Sequence, residues 1–242
     1  MGPAKMNDLT AAFAAALRLI TSLDPDLLEI IGLSLRVSLT ALVAACVLGF
    51  PLGAATALLR FPGRRFLIIL LNALMGLPPV VVGLLVYLML SRSGPFGTLG
   101  LLYTPGAMIA AQTLLIAPII AALTRQVVQD LWAEYEDQLT SLGASRARAI
   151  PTLLRDGRVA LVTVALAGFG RAIAEVGAVM IVGGNIDHAT RVMTTAIALE
   201  LSKGDLPLAL GLGIVLLALT LVVNSLAQLL RDRSSDPAES PA

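Results

Sequence analysis

Apolar residues dominate five long segments of the chain, and short polar stretches separate them. Crossing the hydrocarbon core of a bilayer takes roughly 20 apolar residues in a helix, because each residue advances the helix by about 1.5 Å. The segments that reach this length cover residues 37–59, 66–90, 105–123, 159–182 and 206–230. The pattern predicts an all-α fold, a polytopic membrane helical bundle with about five transmembrane helices. We expect it to form a single transmembrane domain over residues 1–230.

The two ends of the chain do not fit this spanning pattern. Asp8 can cap a short helix over residues 9–23, which Asp24 and Pro25 then end. This helix is too short to span, so we expect it to lie at the membrane interface. Residues 231–242 are polar and contain two prolines. We therefore predict a disordered tail there.

Composition places the chain outside the soluble class of proteins. Hydrophobic residues make up 57% and charged residues 14% of the 242 residues, with a mean hydropathy of +0.88. Soluble domains average about 45–50% apolar and about 25% charged residues. The net charge of +1 argues against a nucleic-acid partner.

Catalytic and metal chemistry has little support in the sequence. Cys46 is the only cysteine and His188 the only histidine. These counts exclude an internal disulfide and a cysteine metal cluster, and they argue against most zinc sites and histidine relays. The sequence also contains no GxxxxGK[ST] phosphate loop. We predict a non-catalytic membrane subunit with no catalytic residues, no metal site and no cofactor.

Basic residues are unevenly divided between the two sides of the predicted bundle. Ten lysines and arginines follow spans one, three and five, and five lie on the opposite side. Loops rich in lysine and arginine stay in the cytoplasm, so we predict an outside N-terminus and a cytoplasmic C-terminus. The larger group contains Arg60, Arg64, Arg65, Arg125, Arg146, Arg148, Arg155, Arg158, Arg231 and Arg233.

The loop over residues 125–158 carries half of these ten basic residues and contains an amphipathic helix. Apolar residues recur at helical spacing, acidic residues occupy the other faces, and Gly143 ends the helix. A helix lying on lipid is one interpretation, but anionic headgroups repel an acidic face. A groove in a protein partner suits this helix better. The residues that define it are Leu131, Tyr135, Leu139 and Leu142 on the apolar side, with Glu134, Glu136 and Asp137.

Four residues inside the predicted spans are candidates for the translocation path or its gate. Arg171 and Glu175 lie at i, i+4 spacing in the fourth span, so they can pair on one face. Ionisable groups in mid-membrane are costly and often mark a packed or wet site. Pro78 and Pro79 interrupt the second span and could act as a hinge. The alternatives are an ion pair that only fixes helix packing and a static kink.

A family resemblance enters at the cytoplasmic loop. Asp137-Gln138-Leu139, followed after three residues by Gly143, resembles the "EAA" loop of ABC importer permeases. Asp replaces the family's Glu, and Gln-Leu replaces Ala-Ala. In that family the loop forms the coupling helix that docks into the ATP-binding subunit. The resemblance assigns this role to Glu134, Tyr135, Asp137, Leu139, Leu142 and Gly143.

Further stretches narrow the resemblance to the molybdate, sulfate and tungstate class. Residues 76–83, 91–95 and 171–178 look like that class, and residues 183–197 are most similar to tungstate-type permeases. The resemblance implies a type I ABC importer permease fold and a bacterial or archaeal plasma membrane location. It also implies a homodimer in membrane lipid, a separate ATP-binding cassette ATPase subunit and an extracytoplasmic oxyanion-binding protein.

Other functions remain open at this point. Within the family, the substrate could be molybdate or sulfate instead of tungstate. An intramembrane enzyme is disfavoured by the single histidine, which the pattern places in an outer loop. A secondary transporter is disfavoured because such transporters usually show repeated halves, and the sequence shows no internal repeat.

Overall fold

Helices joined by short turns make up the described part of the protein. A computed structural model describes residues 13–235, with side chains described up to residue 229. No strand occurs within this range, so the predicted all-α class is confirmed. Asp8, the predicted cap, and residues 236–242 of the tail lie outside it. The helices are α1 (13–21), α2 (Pro25–Leu58), α3 (Arg64–Leu74), α4 (Pro79–Leu90), α5 (Pro105–Ser141), α6 (Arg146–Asp156), α7 (Arg158–Ile173), α8 (Gly177–Gly183), α9 (Met193–Lys203) and α10 (Leu206–Ser235).

Between three and five of the apolar stretches can cross a membrane. Within the described residues, α2, α5 and α10 are each long and apolar enough to do so alone. The pairs α3 with α4 and α7 with α8 are each separated by a break of at most four residues. The count reaches the five predicted spans if each interrupted pair forms one span.

The first spanning helix begins before its predicted membrane core. We expected that core to start after Arg36, with residues 27–35 as an alternative extension of the span, and α2 begins at Pro25 and includes them. One Asp24 carboxylate oxygen accepts the N–H groups of Asp26, at 3.1 Å, and of Leu27, at 3.2 Å. This side chain therefore caps α2, and Pro25 fits the first turn because its missing N–H needs no partner. Arg36 lies exposed on the helix surface and does not interrupt it.

Two helices extend past their predicted ends because their sequences contain no helix breaker. Helix α5 continues to Ser141, so the amphipathic stretch after residue 123 is the end of a spanning helix and not a separate element. No glycine or proline occurs between Pro118 and Gly143. Helix α10 likewise runs to Ser235, so residues 231–235 are helical and the disordered tail was predicted to start too early.

The predicted fourth span is not one continuous helix. Helix α7 ends at Ile173 and α8 begins at Gly177, which places Glu175 in the break. Our expectation of Glu175 inside a helix was therefore wrong, and the i, i+4 argument does not apply to it. One of its carboxylate oxygens accepts the N–H of Ala178 at 3.1 Å. The side chain thus satisfies a donor at the start of α8 that no helical carbonyl can reach.

The second span is interrupted at its paired prolines. Residues 75–78 form the break, and Pro79 is the first residue of α4. Proline is well suited to that position because it lacks the N–H that a helix start leaves unpaired.

Two compact units can be distinguished within the described chain. The first unit comprises residues 13–40, 79–112 and 173–222. In it, α4 packs closely against α8, because a Cβ atom on Gly83 would lie 2.7 Å from the Cα atom of Ala178. Only a residue without a side chain allows these two backbones to approach so closely.

The second unit comprises residues 41–78, 113–172 and 223–235. Here α2 packs against α5 through two glycines four residues apart. A Cβ atom on Gly49 would lie 2.7 Å from a methyl carbon of Ile120, and one on Gly53 would lie 2.5 Å from the carbonyl oxygen of Ala121. This small-xxx-small pattern is a common means of close helix packing in membranes.

We predict that Gly53→Ala lowers the thermal stability of the protein in detergent. The added methyl group would collide with the backbone of α5, and overpacking of this kind typically costs about 1–3 kcal/mol. Gly32→Ala is the matched control, because Gly32 lies in the same helix with no neighbour within 4 Å of a Cβ position. We expect the control to keep or slightly raise the unfolding temperature. Equal unfolding temperatures for the two variants would contradict close packing at Gly53.

Candidate functional site

A tight turn at Gly143 joins α5 to α6 in the second unit. Gly143 has a φ of +74°, in the left-handed region that favours glycine. Its N–H bonds to the carbonyl of Thr140 and the N–H of Ala144 bonds to the carbonyl of Leu139, both at 2.9 Å. These two bonds form a Schellman motif that ends α5. Gly143 is thus confirmed as the residue that ends the predicted amphipathic helix.

Side chains from the start of α6 hold this turn in place. The Ser145 hydroxyl accepts the N–H of Arg148 at 3.4 Å and so caps α6. The Arg148 guanidinium donates to the carbonyl oxygen of Gly143 at 3.0 Å. Arg146 pairs with Glu136 at 3.0 Å, and its guanidinium carbon lies 5.3 Å from the centre of the Trp132 ring. Contacts of α6 residues with α5 and with the turn therefore fix the hairpin of α5 and α6.

An apolar cluster forms the base of the hairpin. Part of the predicted apolar seam packs against it, because Leu131, Tyr135 and Leu139 contact its buried residues. These three side chains therefore serve mainly the protein's own core and are not wholly offered to a partner. The buried members of the cluster are Ala54, Ala57, Leu58, Val128, Trp132, Ala149 and Leu153.

The carboxyl end of α2 reaches the same cluster and is held by an arginine. Arg64 donates from its Nε atom to the carbonyl of Thr56 at 2.8 Å and from Nη2 to the carbonyl of Ala57 at 3.0 Å. A cation at the carboxyl end of a helix satisfies carbonyl groups that have no helical partner. This contact fixes the surface against which α6 packs.

The remaining residues of the predicted coupling set are exposed. Leu142 keeps 84% of its surface accessible, and Glu134 and Asp137 are also exposed. A fully exposed leucine at the tip of a rigid turn is unusual and suits a contact with another molecule. The structure thus brings all six predicted coupling residues into one hairpin, with Leu142 at its tip.

A cavity of about 540 Å³ opens beside the hairpin, between the ends of α5 and α6 and the start of α7. Tyr135, Leu139 and Leu142 form part of its apolar lining. Arg155 and Arg158 contribute charge to it. The cavity size falls within the range of protein sites that enclose a ligand or a peptide segment.

The four candidate path residues lie elsewhere. Glu175 is 4% exposed in the first unit, where its carbonyl oxygen accepts the Thr194 hydroxyl at 2.8 Å. Pro79 begins α4 in the same unit, and Pro78 ends the break that precedes it. Arg171 lies in the last turn of α7, in the second unit.

Sequence reasoning missed the residues that hold the hairpin. Trp132 was assigned no role, and Arg146 and Arg148 were counted only as charges that set the orientation. Their contacts depend on the turn at Gly143, which brings residues ten positions apart together. A signal was present, because Ser145 directly after Gly143-Ala144 is typical of a helix that restarts after a turn.

In the first unit, a structured loop over residues 184–192 precedes α9. The buried Thr190 hydroxyl donates to the carbonyl of Gly183 at 2.6 Å and accepts the N–H of Ile186 at 2.9 Å. His188 has a φ of +54° and bonds through Nδ1 to the Glu29 carboxylate of α2 at 2.9 Å. The loop is therefore tied to α2 through a histidine whose side chain remains 67% exposed.

Comparison with known proteins identifies the fold. Residues 49–236 match the family described as binding-protein-dependent transport system inner membrane component. This chain belongs to that family. The permease is therefore a multi-pass inner membrane component with the type I ABC permease fold.

Several similar proteins are named as permeases for tungstate or sulfate. The permease is 42% identical to the tungstate uptake system permease protein TupB of Peptoclostridium acidaminophilum, over 94% of this chain and 100% of that protein. It is 34% identical to the protein of the same name from Campylobacter jejuni, over 90% of this chain and 92% of that one. The sulfate transport system permease protein CysT of Salmonella typhimurium is 27% identical, over 83% of this chain and 75% of that protein.

We predict that His188 titrates above its ordinary range. The hydrogen bond to Glu29, then the negative charges of Glu29, Asp187 and Asp26, raise the pKa of His188 from 6.5. A raised pKa in the folded state gives stability that is complete below about pH 6.5 and is lost as the pH rises through the raised value. NMR titration of this single histidine in the Glu29→Gln variant should give a lower pKa than in the wild type. The Asp130→Asn variant is the control and should leave the pKa of His188 unchanged. If Glu29→Gln also left this pKa unchanged, the contact between His188 and Glu29 would be contradicted.

Proposed function

We propose that the permease is the transmembrane subunit of an ATP-driven importer for a tetrahedral oxyanion, and that this oxyanion is tungstate. The substrate assignment rests on the 42% identity of this chain to a tungstate uptake permease, over the full length of that permease. Sulfate permeases are more distant, at 27% to 31% identity. A whole-length match supports the same transport path, because that path is built from residues of several spans.

The permease needs partners to complete this function. Its sequence has no phosphate loop for ATP, so we assign hydrolysis to a separate ATPase subunit. ATPases of this kind act as pairs, and one coupling hairpin serves one ATPase subunit. Two copies of the permease in the lipid bilayer would therefore form a homodimer around the pore. The family description, binding-protein-dependent transport, supports an extracytoplasmic binding protein that delivers the oxyanion.

The α5–α6 hairpin is our candidate for the coupling site. Its position on the cytoplasmic side follows from the ten-to-five division of basic residues, which also places the C-terminus inside. Glu134, Tyr135, Asp137, Leu139, Leu142 and Gly143 all belong to it. The exposed Leu142 would contact the ATPase subunit directly. The hairpin is braced by its ion pair and apolar cluster, so it can transmit a displacement without folding back on itself.

Pro78, Pro79, Arg171 and Glu175 are our candidates for the path or its gate. The first two lie at the break before α4, and Glu175 lies at the break before α8. Such interruptions are frequent where transporters bend or bind substrate. Wild-type uptake by a correctly assembled Glu175→Gln variant would contradict a role for Glu175 in transport.

Alternating access follows as the mechanism. ATP-driven closure of the two ATPases would move the hairpins and switch the permease between outward-open and inward-open states. The oxyanion must bind only weakly in the pore, because tight binding would prevent its release. Selectivity is then expected mainly in the binding protein. Molybdate or sulfate therefore remains the second candidate, supported by the more distant sulfate permeases.

One prediction of this proposed function concerns the transported ion. Vesicles containing the assembled transporter and its binding protein should take up tungstate faster than molybdate or sulfate when the three ions are compared side by side with ATP inside. ATP with a non-hydrolysable phosphate linkage serves as the control and should abolish uptake of all three. Faster sulfate uptake would contradict the tungstate assignment and leave the importer class intact.

Another prediction of this proposed function concerns the turn of the hairpin at Gly143. Gly143→Val should reduce transport-coupled ATP hydrolysis at least tenfold, because a β-branched residue cannot adopt a φ of +74° without strain. Gly143→Asn is the matched control, since asparagine tolerates this conformation, and it should keep most of the activity. Equal activity of the two variants would show that the geometry of the turn does not matter for coupling.

A further inference from the structure

The cavity beside the hairpin has an apolar wall and a charged rim. Tyr135, Leu139 and Leu153 line it from α5 and α6, and Leu142 stands at its edge. Leu153 is fully buried below, whereas Leu142 is almost fully accessible. The apolar lining therefore extends from the buried Leu153 in the core to the exposed side chain of Leu142. Such a surface gains free energy when another apolar group covers it.

Two arginines on the rim lack an ion-pair partner among the residues that the structure describes. Arg155 and Arg158 are exposed and line the cavity. Neither makes an ion pair with any residue in the described part of the chain. Arg146 in the same hairpin differs, because Glu136 holds it at 3.0 Å. The cavity thus offers two cations that are free to bind an external carboxylate.

We infer that this cavity is a socket for a segment of the ATPase subunit that presents a large apolar side chain next to an aspartate or glutamate. The inference rests on the proposed function, because it takes the hairpin as the coupling site. It adds to the proposed function that each protein inserts a side chain into the other. The Leu142 tip would enter the ATPase subunit, and a side chain of the ATPase subunit would enter the permease.

The size of the cavity favours an entering segment over a flat contact. At about 540 Å³ it is larger than one side chain needs, and it is bounded by three helices. A buried apolar anchor with charged residues around it is the usual form of a strong protein contact. An apolar side chain would cover Leu139 and Tyr135, and its acidic neighbour would reach Arg155 or Arg158.

An anionic lipid headgroup would also attract two arginines. Continuity with the exposed Leu142 favours a protein segment, because this leucine lines the same cavity and is the proposed contact with the ATPase subunit. The experiment below distinguishes the two occupants.

The experiment measures binding of the purified ATPase subunit to the full-length permease in nanodiscs. The double variant Arg155→Glu with Arg158→Glu should bind at least tenfold more weakly at about 50 mM salt. Its difference from the wild type should shrink at high salt, because rim charges are screened. Arg60→Glu with Arg65→Glu is the matched control, two exposed arginines of the same unit that do not line the cavity. We expect this control to bind within about threefold of the wild type.

A second variant pair tests the apolar part. Thr152→Trp should fill the cavity from α6 and weaken binding, whereas Thr152→Ser should leave it unchanged. Restored binding of the arginine double variant by an ATPase subunit in which one acidic residue is changed to lysine would support the socket directly. If every acidic position tried in the ATPase subunit failed to restore binding, the charge contact would be refuted.

Three results would overturn the inference. The first is an Arg155→Glu, Arg158→Glu variant that binds the ATPase subunit as well as the Arg60→Glu, Arg65→Glu control does. The second is a Thr152→Trp variant with wild-type affinity. The third is a double variant that loses bound anionic lipid but keeps the ATPase subunit, which would assign the cavity to lipid.

The coupling site itself is tested separately. Leu142→Asp should weaken binding whether or not the socket exists. If Leu142→Asp weakens binding and the cavity variants do not, the socket is wrong and the proposed function survives. If the wild type binds no ATPase subunit under any condition, the proposed function fails together with the socket.

Discussion

Every helix end inside a bilayer leaves backbone groups that water cannot reach, and this constraint organises the permease. A bilayer offers no hydrogen-bonding partner, so the protein must supply one from its own side chains. Glu175 supplies an acceptor for the N–H of Ala178 at the start of α8. Ser34 does the same for a buried helix start outside the interrupted spans, because its hydroxyl accepts the N–H of Met193 at the start of α9, at 2.7 Å. The interruption between α7 and α8 thus carries its own polar partner.

The same constraint explains why the candidate coupling hairpin can be rigid. Outside the bilayer, a helix end can be satisfied by water and fray, but α5 ends in a Schellman motif at Gly143 and α6 begins at a serine cap. Arg146 and Arg148 add side-chain contacts across the turn. Because α5 contains no glycine or proline between Ile119 and Ser141, a displacement of the turn has to move this length of helix. Rigidity at the turn is what a coupling function would require.

Much of this architecture was predictable because lipid leaves few choices. Apolar length alone identified all five candidate spans, since only helices can satisfy a backbone in hydrocarbon. Glycine identified the turn at residue 143, because the left-handed conformation favours it. The start of α2 and the end of α5 lie outside the predicted membrane cores for a shared reason. Arg36 and the polar residues after residue 123 were interpreted as limits of those cores, and an exposed charge on a helix surface does not end the helix.

The remaining features could not be predicted because they depend on residues far apart in sequence. The contact between His188 and Glu29 joins residues 159 positions apart. The break at Glu175 was hidden by its apolar neighbours, since hydropathy does not distinguish a continuous span from an interrupted one. The cavity beside the hairpin requires the ends of α5 and α6 and the start of α7 to be placed together. Periodicity describes one helix at a time and contains no information on such placement.

Polar side chains buried in the first unit show what transport would require. Ser34, Ser38, Glu175 and Thr194 line a small cavity of about 10 Å³. This is room for about one water molecule and far too little for a tetrahedral dianion. The carboxylate of Glu175 would also repel such an ion, so a role in bracing the break suits it better than a role in binding. If the oxyanion passes here, the ties of α9 to Ser34 and Glu175 must open first, and that opening is the movement that ATP-driven coupling would have to produce.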